Sequence, residues 1–143
     1  MEKAFQMLKQ DHKKVSAVIQ QMMEGEESQR QELFEQLKQE LTAHMKLEEK
    51  LLYPLLKESE QTHDQILESY EEHREVKHQL GVLQRTPPDA ENWQAVLTVL
   101  KENIEHHVKE EERELFKLAG KVLADRLDDL TKKMETEKQK LMH

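Results

Sequence analysis

The stretches 41–56, LTAHMKLEEKLLYPLL, and 104–119, IEHHVKEEERELFKLA, decide the fold of this chain. In each stretch a histidine is followed four residues later by a glutamate, one turn further along the same face of an α-helix. The two pairs are His44 with Glu48 and His107 with Glu111. The rest of each face is apolar, so each imidazole and carboxylate are expected to point together into a hydrophobic core. Side chains paired in this way are typical metal ligands.

The composition points to one helical domain. A chain of 143 residues is long enough to bury a core of its own. Charged residues make up 36% of it and aromatic residues 4%, with 3 Gly, 3 Pro and no Cys. Strands are rich in aromatic and β-branched side chains, and loops are rich in Gly and Pro, so this composition suits helices. The lack of Cys excludes disulfides, thiolate metal sites and cysteine nucleophiles. We therefore expect an all-α protein.

Turn signals divide the chain into five predicted helices. They lie at Gly25–Ser28, Glu58–Asp64, Thr86–Asp89 and Gly120. Capping-box spacings support the first two turns, at Ser28 with Gln31 and at Thr62 with Gln65. Residues 1–119 are predicted to form an up-down-up-down four-helix bundle, because short connections make consecutive helices antiparallel neighbours. Residues 120–143 form a predicted C-terminal helix that packs on the bundle or mediates dimerisation.

Each helix of the predicted bundle has one histidine on its apolar face: His12, His44, His73 and His107. In such a bundle, two residues at one height lie symmetrically about the turn that joins their helices. The midpoint of positions 12 and 44 is 28, that of 48 and 73 is about 60, and that of 73 and 107 is 90. Each midpoint is at or beside a predicted turn, so four histidines and two glutamates should meet in one layer. Burying them without partners would cost about 1–3 kcal/mol per group, so a metal is expected there.

The donor set indicates two metal ions rather than one. Four imidazoles and two carboxylates exceed the ligands of a single tetrahedral zinc ion. A carboxylate can bridge two ions, so Glu48 and Glu111 are candidate bridges, and mixed nitrogen and oxygen ligands suit iron. The alternative is a hydrogen-bonded His/Glu network without metal. The neighbouring Glu49, Glu110 and Glu112 are interpreted as salt-bridge residues of solvated helix faces, with no part in the chemistry.

These residues resemble those of the hemerythrin family, in its bacterial HHE cation-binding branch. The resemblance covers roughly residues 1–119 and is carried by His12 in LKQDHKKV, His44 and Glu48 in HMKLEEKLLYP, His73 in YEEHREVKHQL, and His107 and Glu111 in HHVKEEERELF. It implies a four-helix bundle with a non-haem di-iron centre, whose irons are bridged by the two carboxylates and by an oxo or hydroxo group. Members bind dioxygen and are associated with oxygen carriage, sensing, iron handling and responses to nitric oxide or peroxide.

One position departs from the oxygen carriers of that family. They have a second histidine four residues after the one that matches His73, where this chain has Lys77. Tyr70, Lys77 and His106 are candidates for an additional ligand or a supporting contact, and solvent is the alternative. Fewer imidazoles leave a metal with more open positions, so redox chemistry is favoured over reversible oxygen carriage.

The predicted function is that of a di-iron protein that binds O2, or reacts with O2, peroxide or nitric oxide in sensing, scavenging or iron handling, rather than that of a dedicated enzyme. The alternative is a helical interaction module whose His/Glu layer is structural or binds a structural metal. A formal net charge of -8 argues against a nucleic-acid partner. No apolar run reaches bilayer length and no signal-peptide pattern is present, so a cytoplasmic monomer or homodimer is expected.

Overall fold

The computed structural model describes residues 2–142, which form helices joined by short turns and contain no strand. Met1 and His143, the predicted ends of the bundle and of the C-terminal helix, lie outside the described residues. The α-helices are α1 Lys3–Glu24, α2 Arg30–Leu47, α3 Tyr53–Lys57, α4 His63–Arg85, α5 Trp93–Glu110, α6 Phe116–Val122 and α7 Leu127–Met142. The π-helical turns Glu48–Leu52 and Glu111–Leu115 join α2 to α3 and α5 to α6, and the 3-10 turn Glu27–Gln29 precedes α2.

Four long helical rods form the bundle. Helices α1 and α4 are rods by themselves, whereas α2 continues through its π-turn into α3, and α5 continues through its π-turn into α6. Each rod contacts the rod before it and the rod after it, and α5 contacts α1 to close the ring. The prediction of an all-α, up-down-up-down bundle with one more helix is confirmed. Within residues 2–142, no helix combines the length and the apolar character needed to cross a membrane.

The first two turns lie where the sequence predicted them, but other residues stabilise them. The capping boxes predicted at Ser28 and at Thr62 are both wrong. Glu26 and Gln29 form the capping box of the first turn. Thr62 precedes α4, but its hydroxyl donates to the carbonyl oxygen of Leu56, 2.5 Å away, and so ties α4 back to the end of α3.

The predicted helix end at Gly120 is displaced by a few residues. Helix α6 runs through Gly120 to Val122, and the turn occupies residues 123–126. No residue among those described has a positive φ, so Gly120 keeps an ordinary helical backbone. A glycine inside a helix costs about 1 kcal/mol relative to alanine. The helix continues there because Phe116 and Ala119 of α6 are buried in the bundle.

Two apolar clusters fill the bundle, one toward each end. One cluster includes Met22 and Leu83, near the turns that precede α2 and α5. The other includes Phe5, Leu56 and Ile66. Helix α7 adds its apolar residues to this second cluster, namely Leu127, Leu130 and Met134. Its apolar stripe is therefore packed against α1 and α2 within the same chain.

Candidate metal centre

The six predicted residues lie together, and each side chain is buried: His12, His44, Glu48, His73, His107 and Glu111. Oε1 of Glu48 lies 3.3 Å from Nε2 of His44 and 3.0 Å from Nε2 of His73. Oε1 of Glu111 lies 3.2 Å from Nε2 of His12, and its Oε2 lies 3.2 Å from Nε2 of His107. Each carboxylate therefore stands between an imidazole from α1 or α2 and an imidazole from α4 or α5.

The donor atoms form two groups of four. Those of His12, His44, Glu48 and Glu111 all lie within 4.8 Å of one another, and so do those of Glu48, His73, His107 and Glu111. We call these the α1/α2 group and the α4/α5 group, after the helices that supply their histidines. The groups share both glutamates. Two sets of histidines joined by two carboxylates are the donor arrangement of a pair of bridged metal ions.

Each shared glutamate begins one of the two π-helical turns. In a regular α-helix, the residue five positions further on is rotated by about 140° from the first. In a π-turn the i→i+5 hydrogen bond brings that residue back over the first one. The backbone N–H of Tyr53 donates to the carbonyl oxygen of Glu48, and that of Phe116 donates to that of Glu111. Both aromatic side chains therefore face the layer of histidines and glutamates.

Tyr53 is a site residue that the sequence analysis missed. It is fully buried, and its hydroxyl donates to Oε2 of Glu111, 2.5 Å away. The same hydroxyl oxygen lies 3.1 Å from Nε2 of His73 and 3.3 Å from Nε2 of His107. An α-helical period places Tyr53 on another face, and the π-turn brings it into the site. Tyr53 thus adds a fifth donor to the α4/α5 group, which is the group that has a lysine where a further histidine was expected.

A repeated pattern in the sequence was the signal for this residue. The pattern His-x-x-x-Glu-Glu-x-x-Leu-aromatic occurs twice and ends once at Tyr53 and once at Phe116. The Tyr53 ring packs on His73 with 5.1 Å between centroids, while the Phe116 ring lies parallel to His12 at 6.2 Å. The two donor groups therefore repeat each other, and the hydroxyl of Tyr53 is a donor that only one of them has.

A carboxylate contacts the outer ring nitrogen, Nδ1, of each of the four histidines. The pairs are His12 with Glu112 at 2.7 Å, His44 with Asp11 at 2.9 Å, His73 with Glu49 at 2.6 Å and His107 with Glu72 at 2.6 Å. Such a partner fixes the orientation of an imidazole, directs its Nε2 inward and increases its basicity as a ligand. The interpretation of Glu49 and Glu112 as residues of solvated faces without a role is therefore wrong.

These four carboxylates also follow a simple rule in the sequence. Asp11 and Glu72 each come directly before a core histidine, in α1 and α4. Glu49 and Glu112 each come directly after a shared glutamate, in the two π-turns. Helical periodicity alone assigns all four positions to the outside of a rod. Only the packing of neighbouring rods shows that each one reaches a histidine of the next.

Lys77 and Tyr70 lie beside the donor groups rather than in them. Nζ of Lys77 lies 3.1 Å from Oε2 of Glu49, the carboxylate that contacts His73. The lysine side chain is 52% exposed, so it makes a surface ion pair. The ring of Tyr70 packs edge-on against Tyr53, with 5.3 Å between centroids. Each contacts a residue of the site, Glu49 for Lys77 and Tyr53 for Tyr70.

His106 does not reach the site, although it is adjacent to His107 in the sequence. One step along a helix rotates a side chain by about 100°, which turns His106 out of the bundle. Its side chain is 67% exposed, and its Nε2 lies 3.5 Å from Oε2 of Glu72 and 3.2 Å from Oε1 of Glu110. It is a surface histidine among carboxylates, so this candidate for an additional ligand lies outside both donor groups.

The electrostatics of the layer favour the protonated forms of His44 and His107 and the ionised form of Glu48. Burial disfavours the charged form of His44, but the charge of Glu48 and the hydrogen bond with Asp11 outweigh it and raise the pKa from 6.5 to about 10. The pKa of His107 is raised well above its usual value, because the nearby Glu111 outweighs burial. Burial alone would raise the pKa of Glu48, but the charge of His44 lowers it well below its usual value. Protons on His44 and His107 therefore offset carboxylate charge in the metal-free protein.

Tyr53 remains a neutral phenol under the same conditions. Burial, together with the charges of Glu111 and Glu48, raises the pKa of Tyr53 well above 10. The phenol therefore keeps its proton and donates a short hydrogen bond to Oε2 of Glu111. A cation beside the phenol oxygen would reverse this preference, because it stabilises the phenolate.

Four buried atoms of the layer make no hydrogen bond of regular geometry, although both imidazole nitrogens lie 3.2–3.3 Å from a glutamate oxygen: Nε2 of His12, Nε2 of His44, Oε2 of Glu48 and Oε1 of Glu111. All four belong to residues of the α1/α2 group. Leaving one such atom unpaired in a protein interior costs about 1–3 kcal/mol. One cation bound between them would satisfy all four, so the residues present fit a metal ion.

A family model connects this geometry to known proteins. The model of the hemerythrin HHE cation-binding domain matches residues 3–119, which include both donor groups. The chain belongs to this family. The HHE match covers the four rods and ends before α7. Family membership and the buried His/Glu cluster together indicate that this HHE protein binds metal.

Similar proteins are found among curated sequences and solved structures. An uncharacterised protein of Mycobacterium tuberculosis is 30% identical to the HHE protein over 115 residues, which cover 79% of this chain and 70% of the relative. A DNA nickase of Nostoc is 31% identical over 111 residues, which cover 77% of this chain but 31% of the nickase. The chain thus spans about a third of the length of that relative.

The crystal structure of a Mycobacterium kansasii HHE cation-binding domain protein, a homologue of the M. tuberculosis protein, has a TM-score of 0.86 to this HHE protein at 28% identity. The alignment covers 99% of this chain and 87% of that one. The shared fold therefore extends beyond the four rods and takes in α7.

Proposed function

We propose that this HHE protein holds a di-iron centre and binds O2, or reacts with O2, peroxide or nitric oxide. The observation that carries the proposal is the pair of buried donor groups that share two carboxylates and hold four polar atoms without a hydrogen bond of regular geometry. The proposed ligands are His12 and His44 for one iron, His73, His107 and Tyr53 for the other, and Glu48 and Glu111 for both. Bound iron would supply redox chemistry and a coordination position for a small ligand.

The chemistry of the donors supports iron over a thiolate-bound zinc ion, magnesium or calcium. The chain has no Cys, so it offers no thiolate for a structural zinc site. Imidazole nitrogens together with carboxylate and phenol oxygens suit iron, whereas magnesium and calcium prefer oxygen ligands alone. The outer carboxylates on all four histidines are the contacts that orient metal-ligating imidazoles in proteins.

The difference between Tyr53 and Phe116 supports unequal roles for the two groups. The hydroxyl of Tyr53 provides the α4/α5 group with an oxygen donor, and a cation bound beside it would favour release of the phenol proton. Phe116 provides the α1/α2 group with an apolar ring beside His12 and with no donor. A metal in the α1/α2 group therefore has fewer protein ligands, and we assign the open position to it.

A small apolar cavity lies against the four histidines. It measures about 20 Å³, and its other walls are aliphatic or thioether side chains: Val15, Leu41, Met45, Val76, Ile104 and Val108. A cavity of this size holds about one water-sized molecule. Its size admits a molecule as small as a diatomic gas or a peroxide, and its apolar walls disfavour charged substrates. This supports small-molecule chemistry at the proposed centre.

The test is elemental analysis of protein produced with added iron and purified without chelators, with two neighbouring histidines compared. The wild type and His106→Ala should each hold about two irons per chain, because the exposed His106 lies outside the donor groups. His107→Ala should lose at least one iron. Reduced, iron-loaded wild type should change its visible absorption on exposure to O2, nitric oxide or peroxide.

Folded wild-type protein that takes up no iron under anaerobic loading would contradict the proposal. That result would favour the alternative of a helical interaction module with a structural His/Glu layer. Equal iron content in His107→Ala and the wild type would contradict the proposed ligand set, even if the protein contains iron.

A further inference from the structure

Helix α7 lies outside the residues that the family model matches, yet it reaches the α1/α2 group. Nζ of Lys138 on α7 donates to Oδ1 of Asp11, 2.6 Å away. The other oxygen of that carboxylate, Oδ2, lies 2.9 Å from Nδ1 of His44. A continuous chain of contacts thus runs from the C-terminal helix through Asp11 to a proposed metal ligand.

The contact is shielded from solvent. The Lys138 side chain is 28% exposed and that of Asp11 is 11% exposed, whereas Lys77, which contacts the carboxylate beside His73, is 52% exposed. Ion pairs away from water are screened less than surface pairs. Each oxygen of Asp11 has its own partner, one on α7 and one on α2, so the carboxylate is restrained from rotating away from His44.

Helix α7 also forms a wall beside His44. A cavity of about 40 Å³ is lined by Asp11, His44 and Leu47 on one side and by Lys138 and Leu141 of α7 on the other. The helix therefore covers this approach to the imidazole. Lys138 is its charged contact with the carboxylate that orients the ring.

We propose that Lys138 is a positioning residue for the metal of the α1/α2 group. Through Asp11 it holds the His44 ring with Nε2 directed inward. The C-terminal helix thereby fixes the orientation of a ligand in the group that has the open coordination position. The proposal rests on the proposed function for the metal itself. The placement of His44 by Lys138 and Asp11 concerns the protein alone and can be measured without metal.

The experiment compares Lys138→Met, which removes the ammonium, with Lys138→Arg, which restores a cation. Two controls separate positioning from general effects. Glu137→Gln removes the neighbouring ion pair of α7, with Lys50 at 2.7 Å, and tests for loosened docking of the helix. Lys14→Met removes a lysine that lines the same cavity and tests for a general loss of positive charge.

The first readout is the release of iron from the fully loaded protein to a chelator. Loss of a ligand's outer partner commonly weakens metal binding 10–100-fold, and Lys138 acts one contact further away, so we expect about a tenfold faster release of one of the two irons in Lys138→Met. The other iron should leave at the wild-type rate. Lys138→Arg and both controls should behave as the wild type.

The second readout is the nuclear magnetic resonance signal of the His44 Nδ1–H in metal-free protein, assigned by its loss in His44→Ala. It should be sharp in the wild type and Lys138→Arg, and exchange-broadened in Lys138→Met. If the protein binds no iron, the proposed function fails, while this signal still tests the placement of His44. An unchanged signal in Lys138→Met, or iron release equal to that of Glu137→Gln, would overturn the positioning role.

Discussion

At the scale of single residues, the two donor groups differ by one oxygen atom, the hydroxyl of Tyr53. Tyr53 and Phe116 occupy the same place in a repeated pattern, and both are buried against a histidine. The Tyr53 hydroxyl lies within hydrogen-bonding distance of the carboxylates and imidazoles of the α4/α5 group. Phe116 leaves its own group without an equivalent donor. The two halves of the bundle are almost equivalent, but this one side chain gives the α4/α5 group one donor more than the α1/α2 group.

The substitution Tyr53→Phe tests this inequality. We expect the iron-loaded variant to lose the visible absorption of a phenolate–iron bond and to hold the iron of the α4/α5 group more weakly. The reason is that the ring remains and fills the same space, while the oxygen donor is lost. Absorption spectroscopy and iron stoichiometry under chelator competition measure the two effects.

Tyr70→Phe is the matched control, since Tyr70 packs against the Tyr53 ring without entering the donor groups. Its spectrum and iron content should match those of the wild type. If Tyr53→Phe keeps the full visible spectrum, Tyr53 is not a ligand, and its role is limited to the hydrogen bond with Glu111.

At the scale of helices, the outer hydrogen bonds run around the bundle in one direction. Asp11 of α1 contacts the histidine of α2, and Glu49, in the π-turn after α2, contacts the histidine of α4. Glu72 of α4 contacts the histidine of α5, and Glu112, in the π-turn after α5, contacts the histidine of α1. Each rod therefore orients the ligand of its neighbour, and the ligand geometry depends on the packing of all four rods.

Glu112→Gln tests this arrangement at one contact between rods. The substitution removes the charge that faces Nδ1 of His12, so we expect metal affinity in the α1/α2 group to fall about 10–100-fold. Glu114→Gln, on the exposed side of the same π-turn, is the control and should leave affinity unchanged. Competition with a chelator of known affinity gives both values. Equal affinities for the two variants would show that the Glu112 contact does not orient the ligand.

At the scale of the whole molecule, the stability of the metal-free bundle depends on the protonation of buried side chains. The pKa of His44 is about 10 in the folded chain and 6.5 in the unfolded one, so the folded state binds more protons between these values. The stabilisation is therefore complete below about pH 6.5 and is lost as the pH rises toward 10. In acid, the lowered pKa of Glu48 acts in the opposite sense: its contribution is present above pH 4.5 and is lost as the pH falls through its folded-state pKa.

We therefore expect the free energy of unfolding of the metal-free protein to fall steadily between pH 7 and pH 10. Iron takes the place of the imidazole protons, so iron loading should flatten this dependence, and iron affinity should rise with pH. Urea unfolding at a series of pH values, with and without iron, measures both effects. A metal-free protein whose stability is constant or rises over this range would show that the imidazoles are neutral in the folded state.

The sequence by itself determined the helical class, the number of rods and the level at which the four histidines and two glutamates meet. Those features follow from local chain properties, since helical periodicity fixes which side chains share a face and turn positions fix the heights of facing residues. Helical periodicity did not predict that Tyr53 lies in the site, because the π-turn that begins at Glu48 changes the number of residues per turn. The repeated pattern that ends at Tyr53 and Phe116 was nevertheless visible in the sequence.

Only the tertiary structure decided which carboxylates serve the site and what α7 does. Helical periodicity predicts exposed positions for Glu49 and Glu112, but both contact histidines of neighbouring rods. Lys138 lies 127 positions from Asp11 in the sequence, and the docking of α7 brings the two side chains together. Contacts of this kind depend on how rods are oriented and spaced against one another, which no periodicity within one helix encodes. That is why the histidine and glutamate donors could be predicted, whereas the contacts that hold them in place could not.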